Sequence, residues 1–360
     1  MIFIGAFKSN TADGGTGGQL FACTSLIESE LKNQFNFLLI DTTAVSIPAP
    51  PVYKRFTNVF RRQFQLYRYL LFYKVDTVIA FSSAGLSFAE KGFMLLFSNL
   101  FGKKTIFAPR SGISKVDYTS SSIYHRLIPF IIRKVDVVVC QNNKWKDFYQ
   151  GITQIDDKKF KVIKNWINLK NYEELPARSN QTSTTNLLYL GWVETYKGIF
   201  DLLNAVQILW KNKMQFNLKI YGSGSKIEEV KESITELQLE ECVEVLGWAD
   251  FETKITAFNW ADIYVQPSHL EGSPNTILEA MALAKPVVGT NIDGITELLD
   301  KGTGVIVEKG NAKSLSEGLV KLIENPSLRH EMRVKGLKRV AKNHSIEAAV
   351  SSWNEILNNN

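Results

Sequence analysis

Short runs rich in β-branched and aliphatic residues, each followed by a helix-length amphipathic segment, recur along the whole of this 360-residue chain. In the first half they fall at 1–7, 36–40, 77–81, 105–107, 135–140 and 161–163, with segments such as 19–33 between them. The alternation resumes at 186–190, 217–221, 243–246, 262–265, 286–289 and 304–307. A strand, a helix and a further strand make the βαβ unit, and repeating that unit builds a parallel sheet covered by helices on both faces. The fold class is therefore α/β. Between the two series, EELPARSNQTSTTN at 173–186 crowds Pro, Ser, Thr and Asn together and reads as a linker. We expect a doubly wound domain over 1–170, a linker over 171–186, a second doubly wound domain over 187–340, and a helical segment over 341–360 packing back on the first domain. Ligands of such sheets bind beyond the carboxyl ends of the strands, so the loops after each strand carry the candidate chemistry. A substrate would be enclosed between the two domains.

Composition removes several classes. With 45% hydrophobic and 22% charged residues, the chain lacks the low hydrophobicity and high net charge of a disordered protein. Cys23, Cys140 and Cys242 are odd in number and widely spaced, which argues against a disulfide framework or a structural zinc site and suits a reducing compartment. No window approaches the ~18 apolar residues of a membrane-spanning helix, and the start lacks the pattern of a secretory signal. A cytoplasmic chain beginning at or near Met1 is expected. The net charge of +6 hides a split: residues 1–170 hold 23 Lys and Arg against 11 Asp and Glu, whereas 171–360 hold 19 against 25. A basic first half suits an anionic partner, whether nucleic acid, lipid headgroups or a phosphorylated substrate.

The segment 262–286, DIYVQPSHLEGSPNTILEAMALAKP, is the most informative. A strand ends in a loop, and Ser273-Pro274 is expected to open a helix, with Ser273 as N-cap and Pro274 at the first helical position. The amides of Asn275, Thr276 and Ile277 then face outward at the positive end of a helix dipole and form an anion cradle. Glu271 precedes the cap and Glu279 lies more than a turn inside the helix, so the two do not form a close acid/base pair. With a phosphate at the helix start, each carboxylate can bond hydroxyls on one side of it, as for a sugar, a diphosphate and a ribose laid end to end. A capped helix with two solvated acids fits the spacing equally well.

Glu-Gly-x-Pro-Asn-x-x-Leu-Glu-Ala-Met-Ala, with Glu271 and Glu279 at the Glu-x7-Glu spacing, resembles the signature of the retaining, nucleotide-sugar-dependent glycosyltransferases of family 4. These have the GT-B architecture of two facing Rossmann-like domains. The resemblance covers the second half in order: Gly191-x6-Gly198 with Lys197, the Gly222-Ser223-Gly224 loop, Glu271 to Ala282, then Gly294-Ile295-Thr296-Glu297. It implies that Glu271 contacts the transferred sugar near the reacting carbon and that Lys197 neutralises the phosphate leaving group. The donor diphosphate would rest on the amides after Ser273, and Glu279 would bind the ribose.

One departure stands out. The family usually has Arg directly after the first glycine of Gly-x6-Gly, whereas here that position is Trp192, with no charge and one N–H donor. Arg110 from the facing domain is a candidate substitute, and a Trp packed beneath the loop is the plain alternative. In the first half, the loop Asp13-Gly-Gly-Thr-Gly-Gly18 precedes an amphipathic helix, and its Gly17-Gly18 resembles the family's first glycine loop, which faces the donor. It is not G-x-G-x-x-G, although Asp41 could be offered as a ribose ligand, so a dinucleotide oxidoreductase is a rival. His269 is near enough in sequence to reach the site or to stabilise its loop; His125, His330 and His344 lie elsewhere. No Asp-x-Asp metal pair is seen, and the resemblance implies a metal-free mechanism with the leaving phosphate taking the acceptor's proton. No cofactor beyond the nucleotide-sugar co-substrate is expected.

Residues 53–74, YKRFTNVFRRQFQLYRYLLFYK, hold six basic residues, no acidic one and many aromatics. They read as a membrane-surface helix or as a half-buried helix with solvated charges; RNA binding lacks a recognised module. On the first of these readings the acceptor is a lipid-linked saccharide. The expected function is transfer of a sugar from a nucleotide diphosphate donor to a glycan acceptor in cell-surface polysaccharide assembly. The alternatives are an epimerase or phosphorylase of the same architecture, and a sugar-nucleotide-binding protein without catalysis.

Overall fold

In the computed structural model, which describes residues 1–8, 18–43, 51–172 and 184–358, the β-rich runs assemble as two all-parallel sheets of six strands each. Each strand begins and ends within two residues of its expected place. The chain divides into two units, Met1–Asn165 with Ile346–Asn360, and Trp166–Ser345.

The first unit runs β1 (Ile2–Gly5), α1 (Gly18–Glu28), α2 (Leu31–Gln34), β2 (Leu38–Asp41), α3 (Val52–Phe72), β3 (Thr77–Ser82) and α4 (Leu86–Leu100). It continues through β4 (Lys104–Pro109), α5 (Ile113–Ser120), α6 (Ser122–Lys134), β5 (Val137–Cys140), α7 (Asn143–Thr153) and β6 (Phe160–Val162). Strand order is β2-β1-β3-β4-β5-β6, so the winding reverses between β1 and β3. Those two strands are buried at every position because strands flank them and helices cover both faces. Right-handed crossovers put α1 on one face and α3, α4 and α6 on the other. The stretch expected as one helix over 19–33 is broken into α1 and α2. Ser29 causes the break: its hydroxyl donates to the Leu26 carbonyl at 2.7 Å and accepts from the Leu31 amide, competing with the helix backbone.

The second unit runs β7 (Thr185–Leu190), α8 (Ile199–Lys211), β8 (Phe216–Tyr221), α9 (Ile227–Glu236), β9 (Val243–Gly247), α10 (Phe251–Trp260) and β10 (Ile263–Gln266). It closes with α11 (Asn275–Ala282), β11 (Val287–Thr290), α12 (Asp293–Leu299), β12 (Val305–Val307), α13 (Ala312–Ile323) and α14 (Pro326–Asn343). Strand order is β12-β11-β10-β7-β8-β9, with the reversal between β7 and β10. Most of the linker, residues 173–183, lies outside the described residues, and its end differs from expectation. Thr185 and Asn186 already pair with Phe216 and Asn217 as the start of β7. α14 runs on to Asn343, past the boundary expected at 340. The last helix, α15 (Ile346–Asn358), belongs to the first unit, where buried Trp353 stacks on Phe81 with ring centroids 5.5 Å apart. Ile356 accepts there from Lys104 Nζ at 3.0 Å.

One buried charge in the first unit gives a stability prediction. Lys91 on α4 is 3% exposed, and its Nζ donates to Ser87 Oγ at 2.7 Å. Burial depresses its pKa to about 8, partly offset by Glu90. Below that pH the ammonium is charged in both folded and unfolded chains and its desolvation cost is fully present. Between about 8 and 10.5 only the unfolded chain holds the proton, so stability rises with pH there. Lys91→Met should therefore raise the unfolding temperature at pH 7 and flatten that rise, by up to about 3 kcal/mol. Calorimetry at pH 7 and pH 10 checks it.

Candidate functional site

The reversal between β7 and β10 leaves a crevice at the carboxyl ends of these strands, the place where open α/β sheets take ligands. β7 delivers Gly191, Trp192 and a single 3-10 turn, Thr195–Lys197, before α8. β10 delivers the loop from Pro267 to Pro274 and then α11. The two loops touch at Gly198. Its φ is +70°, and a Cβ there would lie 1.9 Å from the Pro267 carbonyl oxygen, so only glycine fits. On the far side, a Cβ on Gly294 at the start of α12 would lie 2.5 Å from the Glu271 carbonyl oxygen. The backbone carrying Glu271 is held from both directions by close approach of main chain.

Lys197 and Glu271, singled out separately in the sequence, are ion-paired: Lys197 Nζ lies 2.6 Å from Glu271 Oε1. Both side chains are largely buried, at 15% and 12% exposure. The same oxygen accepts from Ser268 Oγ at 3.0 Å and Gln266 Nε2 at 3.1 Å. Gln266 also accepts from the Thr276 hydroxyl at 2.9 Å, fastening the first turn of α11 to the end of β10. A cation, a carboxylate and a helix N-terminus therefore meet on one short stretch of sheet edge.

The start of α11 corrects one expectation. The helix begins at Asn275, and Pro274, with φ −72° and ψ 121°, is the capping position. Ser273 lies one residue outside it, and the Pro274 side chain makes no capping bond. Proline contributes no amide, so the first amides of the helix are still those of Asn275, Thr276 and Ile277. Glu279 is 7% exposed rather than solvated. Its Oε1 accepts from Lys254 Nζ on α10 at 2.7 Å and from the Tyr172 hydroxyl at 3.2 Å, while Oε2 is buried without a partner. Burial and the neighbouring carboxylate push the Tyr172 phenol pKa up, which keeps it a neutral donor.

The remaining residues fall as follows. Gly222 and Gly224 pack against the backbone of Gly191 and Val193, binding the loops after β7 and β8 together. Trp192 is half-buried, with its ring 5.2 Å from that of Trp248 and its carbonyl accepting from the Tyr189 hydroxyl. His269 ties the β10 loop to α8: its ring bonds Asp201, and its amide donates to the Tyr196 carbonyl at 2.9 Å. Arg110 belongs to the first unit, where it donates to Asn165 Oδ1 at 2.5 Å and lies over the Phe81 ring. Gly18 opens α1, whereas Gly17 and the rest of that glycine loop lie outside the described residues. In the first unit Asp41 accepts from the Phe7 amide at 3.2 Å and the Thr43 hydroxyl at 2.6 Å, which ties the loops after β1 and β2. Among the described residues no group of three or more His, Cys, Asp or Glu is placed to hold a metal ion.

The family model described as "Glycosyl transferases group 1" matches residues 171–339, the span that carries this site. An uncharacterized glycosyltransferase of Haemophilus influenzae is 32% identical over 246 residues, 67% of each chain. The capsular polysaccharide biosynthesis glycosyltransferase CapM of Staphylococcus aureus is 32% identical over 169 residues, 47% of this chain and 43% of its own length. The chain thus matches less than half of that relative. The crystal structure of Anabaena HepE in complex with UDP and glucose superposes with a TM-score of 0.78 at 16% identity, covering 100% of this chain and 99% of that one. A likeness so low in identity speaks for the fold, the two Rossmann-like domains of GT-B. Sharing a third of its residues with a glycosyltransferase over two thirds of its length, the chain belongs to the group 1 glycosyltransferases.

Proposed function

We propose that the chain transfers a sugar from a nucleoside diphosphate donor to a glycan or lipid-linked saccharide acceptor, with retention at the anomeric carbon and without a metal ion. The observation that carries this reading is the Lys197–Glu271 pair beside the N-terminus of α11. An ammonium and a helix end supply positive charge where a departing diphosphate gains negative charge, so their effect is largest in the transition state. The acceptor oxygen forms the new bond to the anomeric carbon as the bond to the diphosphate oxygen breaks. The leaving group keeps that electron pair, and its phosphate oxygen takes the acceptor's proton. Glu271 would hold the sugar hydroxyls near that carbon. CapM's role in capsular polysaccharide supports a cell-surface glycan as product, and HepE's UDP and glucose support a nucleotide-sugar donor. Three buried free thiols suit a cytoplasmic, reducing location.

Thermal stabilisation across a panel of nucleoside diphosphates and their sugars tests the reading. A ligand at 100 times its dissociation constant should add ~2.7 kcal/mol, and the best donor should release its nucleoside diphosphate when a glycan acceptor is added. Stabilisation without release under any acceptor would leave a binding protein, and no stabilisation at all would sink the proposal.

A further inference from the structure

Large apolar side chains do not sit evenly over this surface. Among the described residues, sixteen of the twenty-one that stand exposed fall between Tyr53 and Phe130. They are ordered. On α3, Tyr53, Phe60 and Tyr67 repeat every seven residues, with Phe56, Phe64 and Leu71 filling the turns between them, and all six are exposed. Seven residues are nearly two full turns, so these side chains form one strip along the helix. On α4, Leu86, Phe93 and Leu100 repeat at the same interval, the last 84% exposed, and on α6 Ile123 and Phe130 do likewise.

These three helices share one face of the first sheet, and α4 packs against both α3 and α6. The strips are joined, because the Tyr67 ring meets Phe97 of α4 and Phe101 just after it at 6.4 and 6.3 Å. A 21-residue α3 and three helices at ordinary packing distance make a face about 30 Å long and about 20 Å wide, at or beyond the largest apolar patch of a typical monomer.

The charges on this face have one sign. Lys54, Arg61 and Arg68 also repeat every seven, forming a row beside the aromatic strip and roughly opposite buried Leu66 and Leu70. Among the described residues, the side chains of Lys54, Arg61, Arg68 and, beside the α6 strip, Arg126 form no ion pair. The one acid on α3, α4 and α6, Glu90, is taken up by Arg62 at 2.7 Å. A second copy of this face would bring like charges together, whereas an anionic bilayer offers phosphates to the basic row and acyl chains to the rings.

We propose that the joined outer face of α3, α4 and α6 is a docking surface for an anionic lipid bilayer, lying in the plane of the interface. None of the helices among the described residues is long and apolar enough to cross a membrane, so the contact is with one leaflet. The proposal is independent of which sugar the second unit transfers.

The test is sedimentation of the full chain with vesicles of phosphatidylglycerol and phosphatidylcholine, against phosphatidylcholine alone. Binding should require phosphatidylglycerol and weaken with salt. It should fall about 100-fold when Lys54, Arg61 and Arg68 are all changed to Gln, at roughly a tenfold or less per charge. Phe56→Ser with Phe60→Ser should weaken it at fixed charge, with unfolding temperature and donor turnover on a soluble acceptor kept. Binding unchanged in the triple Gln variant would overturn the proposal. So would absent vesicle binding, or a solution dimer that the double Ser variant dissolves.

Discussion

Lys197→Met is expected to lower sugar transfer by about two to three powers of ten, with the loss in kcat rather than KM. The ammonium lies 2.6 Å from Glu271 Oε1 in a largely buried setting, so its removal does two things at once. It withdraws the charge that would meet the departing diphosphate, and it strands a carboxylate among Gln266 and Ser268. Breaking a buried pair costs about 3–5 kcal/mol, here an upper bound because those two donors remain. Lost activity in the single variant therefore mixes chemistry with stability. The double variant Lys197→Met/Glu271→Gln separates them, since it leaves no unpaired charge. It should regain most of the unfolding temperature and none of the transfer rate. The checks are calorimetric unfolding and the initial rate of nucleoside diphosphate release. A double variant that transfers within tenfold of the parent would reduce the pair to a structural tie.

Much of this arrangement is legible in the sequence because the central strands are mostly apolar and are buried at every position. TVIAFS in β3 and TNLLYL in β7 are buried throughout, and such runs stand out against the amphipathic helices between them. Strand order is not local: nothing in either segment says that β7 lies beside β10, and Lys197 and Glu271, 74 residues apart, meet only because it does. The N-cap at Ser273 is misread because Ser-Pro is a good helix opening in isolation. Here the loop is fixed by Gly294 pressing on the backbone of Glu271 and Gly272, and Pro274 is left extended. Gln266 and Ser268 are within reach, as polar residues at and just beyond the end of an apolar strand ahead of the acid. Lys254 and Tyr172 are not: they stand 25 and 107 residues from Glu279, and no spacing connects them to it.

Those two residues carry the second large effect, Lys254→Met weakening nucleoside diphosphate binding by about 10–100-fold. Glu279 directs Oε1 to Lys254 and Tyr172 and leaves Oε2 buried without a donor. A buried acceptor left without a donor is costly, so its retention fits an oxygen kept for a ligand hydroxyl, which the family resemblance implies would be that of the donor's ribose. Lys254 would then act by holding the carboxylate in place. Its loss also strands a buried charge, so the unfolding temperature should fall, and Lys254→Met/Glu279→Gln should restore it. Affinity for the best nucleoside diphosphate and for its 2′,3′-dideoxy form distinguishes positioning from packing. The parent should favour the ribose form by tenfold or more, and both variants should lose that preference. If Lys254→Met lowers stability but keeps the preference, the lysine serves only the fold; if the parent shows no preference, Glu279 does not hold the ribose.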